Sequence, residues 1–99
     1  MKICEITDII HDEDEHESTV ETYLFLNKNE ALEKFKELCE DRIDHILESK
    51  RDNFEDEDEF NEFASEVREG FDMNVPSFNF FDFDNYSYTT IRLDDKEVG

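Results

Sequence analysis

Carboxylates are the groups in this chain with the greatest capacity for chemistry, and they concentrate in two runs. No basic residue interrupts the first run, whose acids are Asp52, Glu55, Asp56, Glu57, Asp58, Glu59 and Glu62. The second run contains Asp12, Glu13, Asp14, Glu15 and Glu17. Carboxylates accept paired hydrogen bonds from a guanidinium as phosphates do. The first run is therefore a candidate binding site for arginine and lysine side chains of a partner, and the second is a secondary candidate.

The first run has a second interpretation, which the sequence leaves open. Acids at the start of a helix interact favourably with the helix dipole, so they are also typical of a solvated helix N-terminus. Phe54 and Phe60 lie beside these acids. Core packing is the favoured role for both rings, and anchoring of a partner is the alternative.

Patterns for catalysis and metal binding are not found in the sequence. Cys39 and His45 lie six residues apart on a predicted helix and therefore point in different directions, which argues against a nucleophilic triad. His11 and His16 flank four acids, but this segment lacks the glycine and the distal glutamate of a calcium loop. We predict that the protein is not an enzyme and has no catalytic residue, metal or cofactor.

The charge balance restricts the class of partner. Thirty acidic and ten basic residues give the 99-residue chain a net charge of −20. A compact domain of this length is roughly 35 Å across, and the same length of duplex DNA carries about 20 phosphate charges. We therefore expect a basic protein surface as partner, with no direct binding to nucleic acid and none to an anionic membrane. Halophilic adaptation is a weaker alternative, because lysine outnumbers arginine and aromatic residues are abundant.

The N-terminal residues and the apolar segments predict the cellular location of the protein and the redox state of its two cysteines. No apolar stretch approaches the ~18 residues of a membrane span, and the first residues lack a secretion signal. Cys4 and Cys39 both sit in apolar patterns. We predict two buried free thiols in a reducing cytoplasm, with a disulfide between them as the alternative.

The elements that must position the acids follow from hydrophobic periodicity. Residues 2–10 and 18–26 alternate as strands, and residues 78–83 and 86–93 predict a hairpin around residues 84–85. Asn27 can cap a first helix that ends near Ser49, and a linker over residues 50–53 leads to a second helix from near Asp56 to Gly70. We predict one α+β domain, residues 1–99, with the element order ββααββ. It is an antiparallel sheet with two helices packed on one face.

The chain resembles small acidic proteins of phages and mobile elements, in particular anti-CRISPR proteins that inhibit RNA-guided nucleases by mimicking DNA. Residues 53–60, an acidic and aromatic run, carry this resemblance, and the strand-to-helix transition over residues 26–35 is also similar. In such inhibitors a similar run occupies the site that reads the short DNA motif beside the target. The resemblance implies a cytoplasmic inhibitor that binds a basic nucleic-acid-binding surface by DNA mimicry. The alternative is a general acidic interaction domain, such as a small regulator or immunity protein with a basic partner.

Overall fold

One antiparallel sheet and two helices make up the computed structural model, which describes residues 1–12, 17–82 and 86–97. In chain order the elements are β1 (Lys2–Asp12), β2 (Glu17–Phe25), α1 (Lys28–Lys50), a short 3-10 helix (Arg51–Asn53), α2 (Glu57–Glu69), β3 (Phe71–Asp72), β4 (Ser77–Asp82) and β5 (Ser87–Glu97). The five strands lie in the order β2-β1-β5-β4-β3. The α+β class, the antiparallel sheet and the two helices are confirmed.

The predicted element order needs a correction. A two-residue strand, β3, follows α2 and pairs Phe71 with Phe78 of β4, so the order is ββααβββ and not ββααββ. Two residues carry too little periodicity to be read from sequence. The predicted linker also differs, because Lys50 is the last residue of α1 and the next three residues form the 3-10 helix. The predicted turn at residues 84–85 lies outside the described residues.

The sheet has one buried face, which the helices cover, and one open face. In β1 the buried side chains are Cys4, Ile6 and Asp8, and the intervening residues are partly exposed. Strand pairing places Leu93 opposite Ile6 and Ile91 opposite Asp8, so β5 contributes to the same buried face. Because side chains alternate along a strand, the odd-numbered residues of β1 all lie on the open face.

Helix α1 is stabilised by an N-terminal cap and by an apolar stripe that packs on the sheet. The Asn27 side chain accepts hydrogen bonds from the backbone N–H groups of Asn29, at 2.8 Å, and Glu30, at 3.3 Å. The stripe then packs on the sheet through Ala31, Phe35, Cys39, Ile43, Ile46 and Leu47, all buried. The predicted cap is confirmed, and both cysteines are buried and free, as predicted.

Helix α2 lies over the same sheet face near β4. The Phe63 ring contacts the Phe80 ring of β4, with centroids 6.2 Å apart, while Ala64 and Val67 are buried. The Phe80–Phe81 step is paired in continuous register with β5, so no bulge interrupts it. The predicted placement of both helices on one face follows from these contacts.

A buried ion pair joins α1 to the sheet. Arg42 Nη2 donates to both carboxylate oxygens of Asp8, at 3.0 and 2.8 Å, and Arg42 Nη1 donates to the Thr89 hydroxyl. Asp8 is only 5% exposed. A charge so deeply buried is stable only when it is paired, so this contact fixes α1 over β1 and β5.

The molecule is more extended than the compact domain expected from its length. Its principal extents are 53 × 30 × 16 Å and its radius of gyration is 15.1 Å. A duplex as long as the 53 Å axis carries about 31 phosphate charges, more than the 20 of this chain. The charge of the protein can therefore approach that of DNA only where its acids are concentrated.

Candidate functional site

The acids of the first run are all at the surface. Asp52 lies in the 3-10 helix, Glu55 and Asp56 lie before α2, and the others lie in its first turns. Every one of the seven is exposed. Within residues 1–12, 17–82 and 86–97, none of these seven carboxylates forms a salt bridge with a lysine or arginine of the chain. They are therefore free to meet cations of a partner.

The start of α2 gives these acids a defined arrangement. The Asp56 side chain caps the helix by accepting a hydrogen bond from the backbone N–H of Asp58, at 2.9 Å. Glu57, Asp58 and Glu59 form the first turn, where the helix dipole favours negative charge. The helix-start interpretation and the binding interpretation are therefore compatible for the same residues.

An ion pair and a group of aromatic rings hold this segment in place. Lys50 Nζ lies 2.8 Å from the Asp82 carboxylate at the end of β4, and both side chains are 11% exposed. Phe54 contacts Phe60 and Phe63, with ring centroids 5.7 and 5.2 Å apart. The acidic segment is thus anchored to the sheet on one side and to α2 on the other.

Phe54 and Phe60 are half-buried, so both pack internally and both retain an accessible edge. The Arg51 guanidinium lies over the Phe60 ring, 5.2 Å from its centroid. A shallow groove between these groups is lined by Arg51, Phe54, Glu55, Asp56, Glu57 and Phe60. Aromatic faces and carboxylates are the groups that attract a guanidinium.

The two acidic runs leave the same end of the sheet, which the sequence does not reveal. Strand pairing aligns Asp82 with Ser87, Ser87 with Asp12, and Asp12 with Glu17 in one row. Adjacent strands are about 4.8 Å apart, so this row is roughly 15 Å wide. Lys50 reaches Asp82, which places residues 51–59 at the same end. We call this region, residues 51–59 with Asp12, Glu17 and Asp82, the acidic end.

Of the second predicted run, only part can be located. Asp12 ends β1 and Glu17 begins β2. Glu13, Asp14 and Glu15 lie outside the described residues. The backbone positions of Asp12 and Glu17 nevertheless place the start and finish of this run at the acidic end.

Two further acids on α2 extend the predicted site. Glu66 and Glu69 are exposed and follow Glu59 and Glu62 at steps of three and four residues. They form one helical face, with charges separated by about 4.5–6 Å along the axis. This spacing is visible in the sequence, but both acids lie beyond the uninterrupted acidic run that defined the predicted site.

The acids of α1 face away from the sheet like those of α2. All seven are exposed: Glu30, Glu33, Glu37, Glu40, Asp41, Asp44 and Glu48. Lys34 and Lys36 pair weakly with Glu37 and Glu40, at 4.0 and 3.9 Å. The helical layer as a whole is therefore strongly negative.

The open face of the sheet has the opposite character. On the described strands it carries five charged side chains. Four of them pair with each other, Lys96 with Glu5 at 2.7 Å and Arg92 with Asp94 at 3.6 Å, and the fifth, Asp72 of β3, accepts hydrogen bonds from backbone N–H groups of the turn that follows it. The remaining groups on this face are hydroxyl, amide, imidazole and apolar side chains. The charge of the molecule is therefore segregated onto the helical layer and the acidic end.

The pKa values of Asp95, Cys4 and Cys39, which lie away from the acidic end, are shifted. The hydrogen bond from Lys28 and then that from Cys4 lower the pKa of Asp95. Burial raises the pKa of Cys4, and it raises that of Cys39 to about 12. Thiols that stay protonated at neutral pH are poor nucleophiles, so neither cysteine is prepared for covalent catalysis.

The described residues contain neither a metal-type cluster nor a membrane-spanning helix. In the described ranges, no three or more histidine, cysteine or acidic side chains come together as a cation site. No helix among these residues is both long and apolar enough to cross a bilayer.

The chain matches no protein-family model, no curated protein and no solved structure.

Proposed function

We propose that this protein is a non-enzymatic inhibitor that binds a basic, nucleic-acid-binding surface of a partner protein through its acidic end. The observation that supports the proposal most directly is the position of the first acidic run at the end of the sheet where β1 ends at Asp12 and β2 begins at Glu17. Seven exposed carboxylates of the first run lack internal basic partners in the described structure. Such a surface presents to a partner what a phosphate backbone presents, namely fixed and accessible anionic oxygens.

Fixed geometry is the second part of the support. The Lys50–Asp82 ion pair and the aromatic packing of Phe54 hold the acidic segment without using its carboxylates. A preorganised surface loses less conformational entropy on binding than a flexible acidic tail. The acidic end is therefore suited to tight binding as well as to long-range attraction.

The candidate target is an RNA-guided nuclease in the host cytoplasm, and this choice rests on the resemblance of residues 53–60 to anti-CRISPR proteins. Nucleases of this type read a short duplex motif with arginine side chains in the major groove. The carboxylates around Phe54 and Phe60 would meet such arginines, and the half-buried rings would pack against the guanidinium planes.

A competition experiment with matched charge variants tests the proposal. The first variant carries E55Q, D56N, E57Q, D58N and E59Q, and the second carries D12N, E13Q, D14N, E15Q and E17Q. Both have the same net charge, and asparagine at position 56 preserves helix capping. Each protein is titrated into a guide-loaded nuclease together with a labelled duplex target. We expect the wild type to displace the duplex and the first variant to bind at least tenfold more weakly than the second, a difference of about 1.4 kcal/mol.

A third variant controls for charge away from the acidic end. It carries E30Q, E33Q, E37Q, E40Q and D41N on α1, and it should lose only long-range attraction. Circular dichroism must show that all three variants are folded. Equal affinities of the three folded variants would reject residues 55–59 as the binding site. Saturating protein that leaves duplex affinity unchanged would reject DNA mimicry and favour an acidic interaction domain with another basic partner.

A further inference from the structure

The two edges of the sheet differ greatly in length. At one edge β3 has two residues, whereas at the other β2 has nine residues, which pair with β1 on one side only. An edge strand presents unpaired backbone N–H and C=O groups, which form a template for another strand. A short edge offers few of these groups, so β2 is the edge on which another strand can add.

Strand β2 has few of the features that usually protect an edge. It contains two charged residues, Glu17 and Glu21, and no lysine or proline, in a chain that is 40% charged. Its register with β1 is continuous from Glu17 to Phe25, so no bulge bends it away. Val20 and Leu24 are 59% and 62% exposed, and Leu26, which follows the strand, is 74% exposed.

We propose that β2 pairs with β2 of a second copy of this chain, in antiparallel orientation about a two-fold axis at Thr22, to form a continuous ten-stranded sheet. This proposal is independent of the proposed function. Because the two strands are identical, a two-fold axis perpendicular to the sheet must place one residue opposite itself. Four side chains near the strand centre decide which residue that is.

An axis at Thr22 places Val20 opposite Leu24 of the second copy, which pairs two exposed apolar side chains on the open face. It also places Glu21 opposite Tyr23, and the Tyr23 hydroxyl already donates to the Glu21 carboxylate within one chain, at 2.7 Å. An axis at Glu21 would instead place two carboxylates directly opposite each other, which is destabilising. Within β2, only an axis at Thr22 pairs the two exposed apolar side chains, Val20 and Leu24, with each other, so we place the axis there.

The charge distribution favours a second copy in this orientation. Four of the five charged side chains on the open face form two ion pairs, and the fifth, Asp72, lies on β3 at the opposite edge, so the open face beside β2 has balanced charge. Strand β2 begins at the acidic end, so antiparallel pairing puts the two acidic ends at opposite extremes of the dimer. Parallel pairing would place them side by side. The helical layers still repel each other, and added salt screens that repulsion over a Debye length of about 8 Å at physiological ionic strength.

Salt should therefore act in opposite directions on the two interactions of this protein. Dimerisation through β2 should strengthen as salt rises, because the contact itself is nearly uncharged and only the surrounding repulsion is screened. Binding of the acidic end to a basic partner should weaken over the same range.

Disulfide trapping tests the register. Opposite residues of an antiparallel pair have Cα atoms about 4.5–5.5 Å apart, a separation that a disulfide can bridge. In Thr22→Cys the two new thiols face each other across the axis, whereas in Ser18→Cys they are roughly 27 Å apart along the strands. Both positions are exposed on the same face of β2, and the native cysteines are buried. We expect Thr22→Cys to form a covalent dimer at least tenfold faster than Ser18→Cys, by non-reducing electrophoresis.

Sedimentation of the unmodified full chain supplies a second readout. We expect the dimer fraction to increase between about 0.05 and 0.5 M sodium chloride. Val20→Glu should remain monomeric at the higher salt, while Met73→Glu, an exposed control of equal net charge in the turn before β4, should dimerise like the wild type. Equal cross-linking rates for the two cysteine variants would overturn the proposal. A wild type that stays monomeric at about 100 μM and high salt, even if β2 accepts a strand of another protein, would also overturn it.

Discussion

Removing one partner of the buried Asp8–Arg42 pair should destabilise the fold far more than removing both. In Arg42→Met, the Asp8 carboxylate is left without its two hydrogen bonds while its side chain is 6% exposed. In Asp8→Val, Arg42 loses its carboxylate but its side chain is 17% exposed and retains the Thr89 hydroxyl as an acceptor. Breaking a buried pair costs about 3–5 kcal/mol. We expect Arg42→Met at the upper end of this range and Asp8→Val at the lower end, because some solvent reaches the guanidinium.

The double variant Asp8→Val/Arg42→Met should be less destabilised than either single variant. It leaves no buried charge, and replacing a buried ion pair by apolar side chains is often neutral or stabilising by about 1–4 kcal/mol. Urea unfolding followed by far-UV circular dichroism measures the four free energies. Total stability of a small domain is about 5–15 kcal/mol, so Arg42→Met can approach complete unfolding.

Surface variants with the same charge change separate the effect of losing the Asp8–Arg42 pair from the effect of changing the net charge. Glu33→Gln changes the net charge by the same amount as Asp8→Val, and Lys36→Met by the same amount as Arg42→Met. Both control positions are exposed on α1, so each should change stability by less than about 0.5 kcal/mol. The reasoning would be refuted if Arg42→Met cost less than about 1 kcal/mol, or if the double variant cost the sum of the two single changes.

Four further outcomes follow from the packing and the charge. Phe35 is fully buried against Phe71, so Phe35→Ala should cost about 3–5 kcal/mol in urea unfolding; a near-normal midpoint would contradict its core position. A Cβ at Gly70 would overlap the carbonyl oxygen of Asn79, so Gly70→Ala should lower the Tm although alanine favours helix. An unchanged Tm would show that the backbone of β4 shifts at little cost and would contradict this expectation. Sodium chloride should raise the wild-type Tm by screening repulsion among 30 acids, and a Tm that falls with salt would refute that reading. Burial raises the pKa of Cys39 from 9.0 to about 12, so the folded chain keeps this thiol protonated where the unfolded chain loses the proton, and stability present below pH 9.0 is lost as pH approaches 12. Cys39→Ala should therefore lose less stability between pH 9.0 and 12 than the wild type, and parallel curves of unfolding free energy against pH would contradict the shift.

Local sequence patterns determined the helices and most of the strands. Asn27 and Asp56 cap the two helices because their side chains reach backbone N–H groups within three residues, an interaction set entirely by neighbours in the chain. The apolar stripe of α1 predicted its buried face because helical periodicity is equally local. Exposure of the first acidic run was also predictable, since acidic side chains are rarely buried unless they are paired and no lysine or arginine lies between Asp52 and Glu62.

The sheet order and the position of β3 were decided by tertiary structure. Strand β1 lies between β2 and β5, and its pairing with β5 joins residues more than 70 positions apart. Alternation in sequence identifies a strand but does not identify its neighbour. The two residues of β3 form a strand because β4 lies beside them, and not because of their own preference.

The segregation of charge also appeared only in three dimensions. Composition determined that the chain carries a net charge of −20, and therefore the sign of the partner it can attract. It did not determine that the first acidic run lies at the end of the sheet where β1 ends at Asp12, because that depends on the pairing of Asp12 with Ser87 and on the Lys50–Asp82 contact. Electrostatic energy depends on distances between groups, and those distances are set by long-range contacts that no local pattern encodes.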